Sequence, residues 1–216
     1  MLPAEKVKLA VAKVQDSADS LFYSERMTSD SADTNTADTN AANTNAAAEL
    51  TEAVTGVHTT NGLPHGKTSI TPHIVVSPAV AALDFYQKVL GARLVDVTTF
   101  PNEPELIAHA ELDFGSGAIT LSDPMEGYGL AAPAAGVAAT FSLAVYVQNV
   151  DDVAKAAEAA GSEVREKPMT FVTGDRFASI IDPFGVRWSV MTRVEDLSEE
   201  ESAARVAEWA AQQTSV

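Results

Sequence analysis

The 216-residue chain contains no cysteine. Disulfides, zinc–thiolate centres and thiol nucleophiles are therefore excluded, and a reducing compartment, the cytoplasm, is the expected location. Cationic side chains are scarce: 14 Lys and Arg stand against 30 Asp and Glu, for a formal net charge of −16. A field of that sign repels nucleic-acid phosphates and anionic lipid surfaces, so neither nucleic acid nor membrane is an expected partner. Long apolar runs are missing too. No stretch approaches the roughly 20 residues of a membrane span. The first ten residues alternate apolar side chains with Lys6 and Lys8, and no apolar core of a signal peptide follows. A glycine-rich phosphate loop, a Ser/His/Asp nucleophile arrangement and a basic aromatic stripe are likewise absent.

What is present falls into unlike parts. Residues 1–68 read as an extension. Its first 20 residues form a loose helix candidate around Val7, Leu9, Val11 and Val14. Ala32-Asp33-Thr34-Asn35, Ala37-Asp38-Thr39-Asn40 and Ala42-Asn43-Thr44-Asn45 then make an imperfect five-residue repeat with no large apolar side chain. Such a segment cannot offset the entropy of ordering and reads as a largely disordered tether. A short stacked β-solenoid is the alternative, and the missing apolar position argues against it.

From residue 69 the chain has the pattern of a folded domain, expected over 69–194. Ile70–Val76 reads as a strand. Ser77 caps a helix with Pro78 in its first turn; Val80, Leu83, Tyr86, Val89 and Leu90 recur at helical spacing, and Gly91 stops it. Strands are expected at Arg93–Phe100, Leu106–Phe114 and Ala118–Ser122, and a Gly-, Ala- and Pro-rich linker follows from Asp123 to Ala139. The order then repeats. Thr140–Gln148 is a strand, Asn149 or Asp151 caps a helix carrying Val153, Ala156, Ala157 and Ala160, and Gly161 ends it. Strands follow at Glu163–Glu166, Phe177–Asp182 and Val186–Thr192, the last two joined by the Asp182-Pro183-Phe184-Gly185 turn. The expected fold class is α+β: paired βαβββ modules at about 69–123 and 140–194, with curved sheets and a cleft between them. In residues 195–216, Ser198 and Glu201 fit a capping box. The helix they open has an apolar side of Ala204, Val206, Ala207, Trp209 and Ala210.

The duplicated module, the Leu83-Asp84-Phe85-Tyr86-Gln87-Lys88-Val89-Leu90-Gly91-Ala92 helix end and the Asp182-Pro183-Phe184-Gly185 turn resemble the vicinal oxygen chelate (VOC) superfamily, the glyoxalase, bleomycin-resistance and extradiol-dioxygenase group. Thr71-Pro72-His73, His109-Ala110-Glu111-Leu112, Gly174-Asp175-Arg176 and Glu195-Asp196-Leu197-Ser198 resemble its PhnB-like branch. The resemblance implies a homodimer and a cleft in which many members hold a divalent metal (Zn, Ni, Mn or Fe) as a Lewis acid. It puts one ligand position at His73, a second near Thr120 or Ser122, a third near Ala144 and a fourth near Ser189. Only His73 of these is a strong ligand. His109 and Glu111, two apart on one strand face, would complete a set with His73; the plainer reading gives His109 a hydrogen-bonding role and Glu111 a partner in Arg93 or in solvent.

Glu111 and Arg176 are thus the catalytic candidates. Arg176 would clamp a carboxylate or phosphate, or else pair with Asp175 or Asp182. Tyr146, Phe171, Arg176, Phe177, Trp188 and Ser189 are the candidate ligand-binding residues, with strand parity sending about half of the aromatic ones to the core; Phe141 has the same two readings. His58 and His65 precede the domain and carry no expected role. Three functions compete. The first is a small-molecule-binding protein of the bleomycin-resistance type working without a tightly held metal. The second is a divalent-metal-dependent lyase, isomerase or dioxygenase. The third is a partner-binding protein acting through its two ends.

Overall fold

A computed structural model describes residues 52–213 and divides the chain into two units, 1–69 and 70–216. The helix expected in the first 20 residues and the Ala-Asp-Thr-Asn repeats lie outside the described residues. In the first unit, β1 (Thr59–Thr60) and β2 (Leu63–Pro64) pair antiparallel. Asn61 and Gly62 between them both have positive φ, 48° and 79°, the turn that Asn-Gly favours in a two-residue hairpin. The hairpin departs from the expectation of an unstructured stretch here, and the Asn-Gly pair was its signal. His65 Nε2 lies 2.9 Å from Thr60 Oγ1, which ties the hairpin's base.

The second unit runs β3 (His73–Val75), α1 (Ala79–Lys88), β4 (Arg93–Phe100), β5 (Glu103–Asp113), β6 (Ala118–Ser122), then β7 (Leu143–Tyr146), α2 (Val150–Ala159), β8 (Glu163–Thr170), β9 (Asp175–Ile181), β10 (Arg187–Arg193) and α3 (Glu199–Gln213). The strands form two four-stranded sheets, ordered β3-β6-β5-β4 and β7-β10-β9-β8. In each, the first strand lies parallel beside the last and the other pairs are antiparallel. The two halves thus share one topology, the duplicated βαβββ arrangement expected from the sequence.

Period-two alternation gives each sheet one buried face. Ile74, Ala110, Leu112, Ile119 and Leu121 are buried with Ala79, Ala82, Leu83 and Tyr86 of α1, and Val145, Ala178, Ile180, Trp188 and Val190 with Val150, Ala154 and Ala157 of α2. All belong to one core cluster. The opposite faces carry His73, His109, Glu111 and Thr120 in the first module and Ala144, Tyr146, Phe177 and Ser189 in the second, as pairing register requires.

Several boundaries differ from the sequence reading. The first strand is only three residues long, and Ile70 is 80% exposed. Ser77 does not cap α1: Pro78 is the N-cap residue and has no side-chain capping bond. The orphan N–H of Ala79 donates instead to Asp123 Oδ1 (3.0 Å), while Oδ2 accepts from Ile107 N (2.8 Å). A carboxylate 44 residues away and 2% exposed does the capping. Asn149 caps α2, accepting from the N–H groups of Asp151 and Asp152. Val150, Ala154 and Ala157 form that helix's buried stripe, whereas Ala156 and Ala160 are exposed. β8 extends to Thr170 through register shifts that the short Glu163–Glu166 expectation did not include. The capping box before α3 forms, with Glu201 N to Ser198 Oγ at 3.1 Å and Ser198 N to Glu201 Oε2 at 2.9 Å.

The modules are joined by an aromatic cluster. Tyr86 of α1 meets Phe184 and Trp188, Phe85 meets Phe184, and Phe114 meets Trp188, with ring centroids 5.4–6.2 Å apart. At its centre Asp182 is 3% exposed and accepts from the Tyr86 hydroxyl at 2.8 Å and Trp188 Nε1 at 2.9 Å.

Candidate functional site

Strand pairing brings the histidine candidates together. His73 lies beside Thr120 across β3–β6, Thr120 beside Glu111, and Glu111 beside Asp96, so one polar row crosses the first sheet. His109, two residues before Glu111, shares that face. The His73 and His109 rings lie 6.4 Å apart and nearly parallel, at 10°. His73 Nδ1 is 2.9 Å from Thr120 Oγ1 and Nε2 is 3.3 Å from Ser122 Oγ, so both ring nitrogens have hydroxyl neighbours. Arg93, offered as a partner for Glu111, instead binds Asp113 at 2.6 Å.

Burial first, and then the neighbouring His109, hold the His73 pKa below its ordinary 6.5. Its neutral form is favoured in the folded chain. Because the folded pKa is depressed, the unfolded chain takes up the proton first as pH falls below about 6.5. Stability should decline between that pH and the folded pKa. In His73→Gln that part of a urea-unfolding profile should flatten; an unchanged slope would locate the titration elsewhere.

Register shows what stands at and beside the positions that the resemblance implied for a metal. His73 stands beside Thr120 in the first module, and Ala144 beside Ser189 in the second. Ala144 offers no donor atom. Thr120 and Ser189 offer neutral hydroxyls, and Ser189 Oγ lies 3.4 Å from Ser142 Oγ. Divalent ions of the zinc, nickel, manganese and iron class favour imidazole and carboxylate ligands, so these four residues do not fit a tightly held ion. Among the described residues no group of three or more His, Asp or Glu is arranged to hold a metal, the set of His73, His109 and Glu111 included.

The second module places its candidates in three different settings. Arg176 lies on the helix side of its sheet. Its Nε and Nη2 each reach an Asp151 oxygen at 2.6 Å, a bidentate pair at the start of α2. Neither expected partner is used, since Asp175 pairs with Arg193 at 3.1 Å and Asp182 serves the module junction. Arg176 is thus engaged with Asp151 in this structure. The pair holds the Asp151 carboxyl below its ordinary range. Phe171 and Phe177 meet edge to face, and Phe171 also meets Trp209 of α3 at 5.2 Å, so the terminal helix covers this end of the sheet.

Tyr146 and Trp188 remain as wall residues. With Pro72, Phe114 and Ala144 they line a cavity of about 240 Å³ where the first module meets β7. Trp188 is 1% exposed and fixed by its bond to Asp182, so it forms the cavity's rigid back. Tyr146 is 58% exposed, and its hydroxyl lies 3.3 Å from Asp175 Oδ1. Phe141 is half-exposed and does not line this cavity.

A second and larger cavity, of about 750 Å³, is one that the sequence reading passed over. It lies between residues 132–139 and the open face of β8, β9 and β10, and Arg165 and Arg187 line it. The composition of residues 123–139 indicates only a linker. The only sequence signal for the cavity was Arg187, which shares strand parity with Ser189.

These features place the chain in a class, the proteins built from paired βαβββ modules. The profile of the glyoxalase/bleomycin resistance protein/dioxygenase superfamily matches residues 43–190, and the chain belongs to that superfamily. An uncharacterized protein of Mycobacterium bovis is 29% identical over 139 residues, covering 63% of this chain and 90% of that one. Among solved structures, a protein from Pseudomonas aeruginosa is 24% identical with a TM-score of 0.47, covering 59% of this chain and 98% of that one. TioX from Micromonospora sp. ML1 is 22% identical with a TM-score of 0.44, covering 61% and 100%.

Proposed function

We propose that this protein binds a small organic molecule between its two modules, against the Tyr146–Trp188 wall, without a resident divalent ion. The carrying observation is the residue type at two neighbouring pairs of positions, His73 beside Thr120 and Ala144 beside Ser189. A Lewis-acid lyase, isomerase or dioxygenase needs several strong ligands around an ion with open positions; a binding protein needs a shaped wall and a few polar groups. Phe114 and Trp188 supply an apolar surface of this kind, and neutral His73 with Thr120 and Ser122 supplies hydrogen-bonding groups on the open face of the first sheet. The reading includes a PhnB-like lineage, a cytoplasmic location and a homodimer, the last supported by Val206 and Trp209 on α3, a helix with no buried residue.

Elemental analysis of dialysed, tag-free protein beside His73→Ala tests it. The expected result is well below one equivalent of any divalent metal in both, with both folded. A stoichiometric metal that disappears in His73→Ala would overturn the reading in favour of a metalloenzyme. Light scattering on the same samples should give twice the chain mass; a monomer would remove the dimer.

A further inference from the structure

Six arginines fall within the described residues, and four of them bind carboxylates: Arg93 with Asp113, Arg176 with Asp151, Arg193 with Asp175 and Arg205 with Glu195. The other two, Arg165 and Arg187, both line the 750 Å³ cavity under residues 132–139. Arg187 donates from Nε to Ser179 Oγ at 3.3 Å, and no acid meets its guanidinium. Arg165 has no hydrogen-bond or ion-pair partner among the described residues. In a chain with a net charge of −16, carboxylates are the commonest available partner. Two arginines left without one, in a single concavity, are better matched to an anion from outside the chain.

The local structure explains how both reach one place. Glu163, Ile181 and Arg187 form one cross-strand row on the open face of the second sheet. Pairing shifts between Val164 and Glu166, and Arg165 sits in that irregularity, freed from strict alternation. Residues 132–139 roof the space, Ile181 and Phe184 give it an apolar wall, and Glu163 and Asp182 are its acids. Asp182 is occupied by four internal donors. Glu163 is the remaining acid and stands on the same row as Arg187.

We propose that this cavity is a binding site for a small organic anion, a carboxylate or phosph(on)ate carried on an apolar body, with Arg165 and Arg187 holding the oxyanion. Guanidinium groups suit planar, bidentate capture of such oxygens, and the apolar wall favours an organic over an inorganic anion. The site is distinct from the Tyr146–Trp188 cavity and does not depend on the metal question.

Calorimetric titration of the full chain with phenylphosphonate and with benzoate, beside neutral benzyl alcohol, tests the assignment. At least one anion should bind saturably at one per chain, weaken as salt rises, and lose affinity about tenfold or more in Arg187→Gln and in Arg165→Gln. Arg93→Gln should bind like the parent, and Glu163→Gln should bind more tightly because a like charge has been removed. Unfolding midpoints of the unliganded variants report that the fold is retained. No saturable binding of either anion, equal binding of benzyl alcohol, an equal loss in Arg93→Gln, or weaker binding in Glu163→Gln would each overturn the proposal. A metal found at His73 would leave this result untouched, so the two readings fail separately.

Discussion

Asp182→Ala should lower the stability of the protein by about 3–5 kcal/mol, because several buried donors at about 1–3 kcal/mol each lose their acceptor, a large share of the roughly 5–15 kcal/mol that holds a domain together. Four donors converge on this one carboxylate. Phe184 N and Val186 N each reach Oδ1 at 2.9 Å, and the Tyr86 hydroxyl and Trp188 Nε1 reach Oδ2 at 2.8 and 2.9 Å. Burial pushes the carboxyl upward from its ordinary pKa, while all four donors pull the other way. Truncation removes every acceptor at once and leaves buried donors unpaired, each a desolvation cost that no neighbour repays. Two of the donors belong to the turn itself, and Tyr86 belongs to the other module, so the loss reaches both. Tyr86→Phe removes a single donor and should cost only about 1 kcal/mol. Urea unfolding followed by Trp fluorescence reads both. If Asp182→Ala fell within 1 kcal/mol of the parent, the turn would not be the junction's anchor.

That anchor illustrates what was legible in the sequence. Asp182-Pro183-Phe184-Gly185 announces a turn, because Asp, Pro and Gly meet local backbone needs that depend on no distant residue. The partnership of Asp182 with Tyr86, 96 residues earlier, has no local signature. The same division holds elsewhere. Asn149 declares its own helix, while α1 is capped by Asp123 from another segment. Strand parity alone puts His109 and Glu111 on one face; the approach of His73 to His109 needs the register of β3, β6 and β5, and the Arg176–Asp151 pair needs the crossing of α2 over the sheet, so neither was legible. The strand neighbour of His73 became definite only with register, which pairs it with Thr120, while Ser122 stands beside the other ring nitrogen. Arg165 escaped notice for a related reason: an irregular strand breaks the alternation by which a sequence is read.

The strap over the arginine cavity gives the second large effect. Gly185 has φ of +87°, and an added Cβ would stand 2.8 Å from Pro133 Cβ and 3.4 Å from its Cγ. Gly185→Ala therefore carries two penalties. The left-handed backbone costs a β-carbon about 1–2 kcal/mol, and the clash must push residues 132–139 away from the turn. Gly161→Ala isolates the first penalty. Gly161 also has positive φ, +95°, but its nearest neighbour, Pro183 Cγ, is 3.8 Å away, an ordinary contact. Gly161→Ala should lose about 1–2 kcal/mol. Gly185→Ala should lose more and should weaken anion binding as well, although no arginine has changed. Pro133→Gly removes the atom that is struck, so the double variant Gly185→Ala/Pro133→Gly should lose less than the sum of the two single changes. Such non-additivity is the mark of direct contact. Equal losses at Gly185 and Gly161, with additive behaviour at Pro133, would mean that the strap does not rest on the turn, and the cavity would lose its roof.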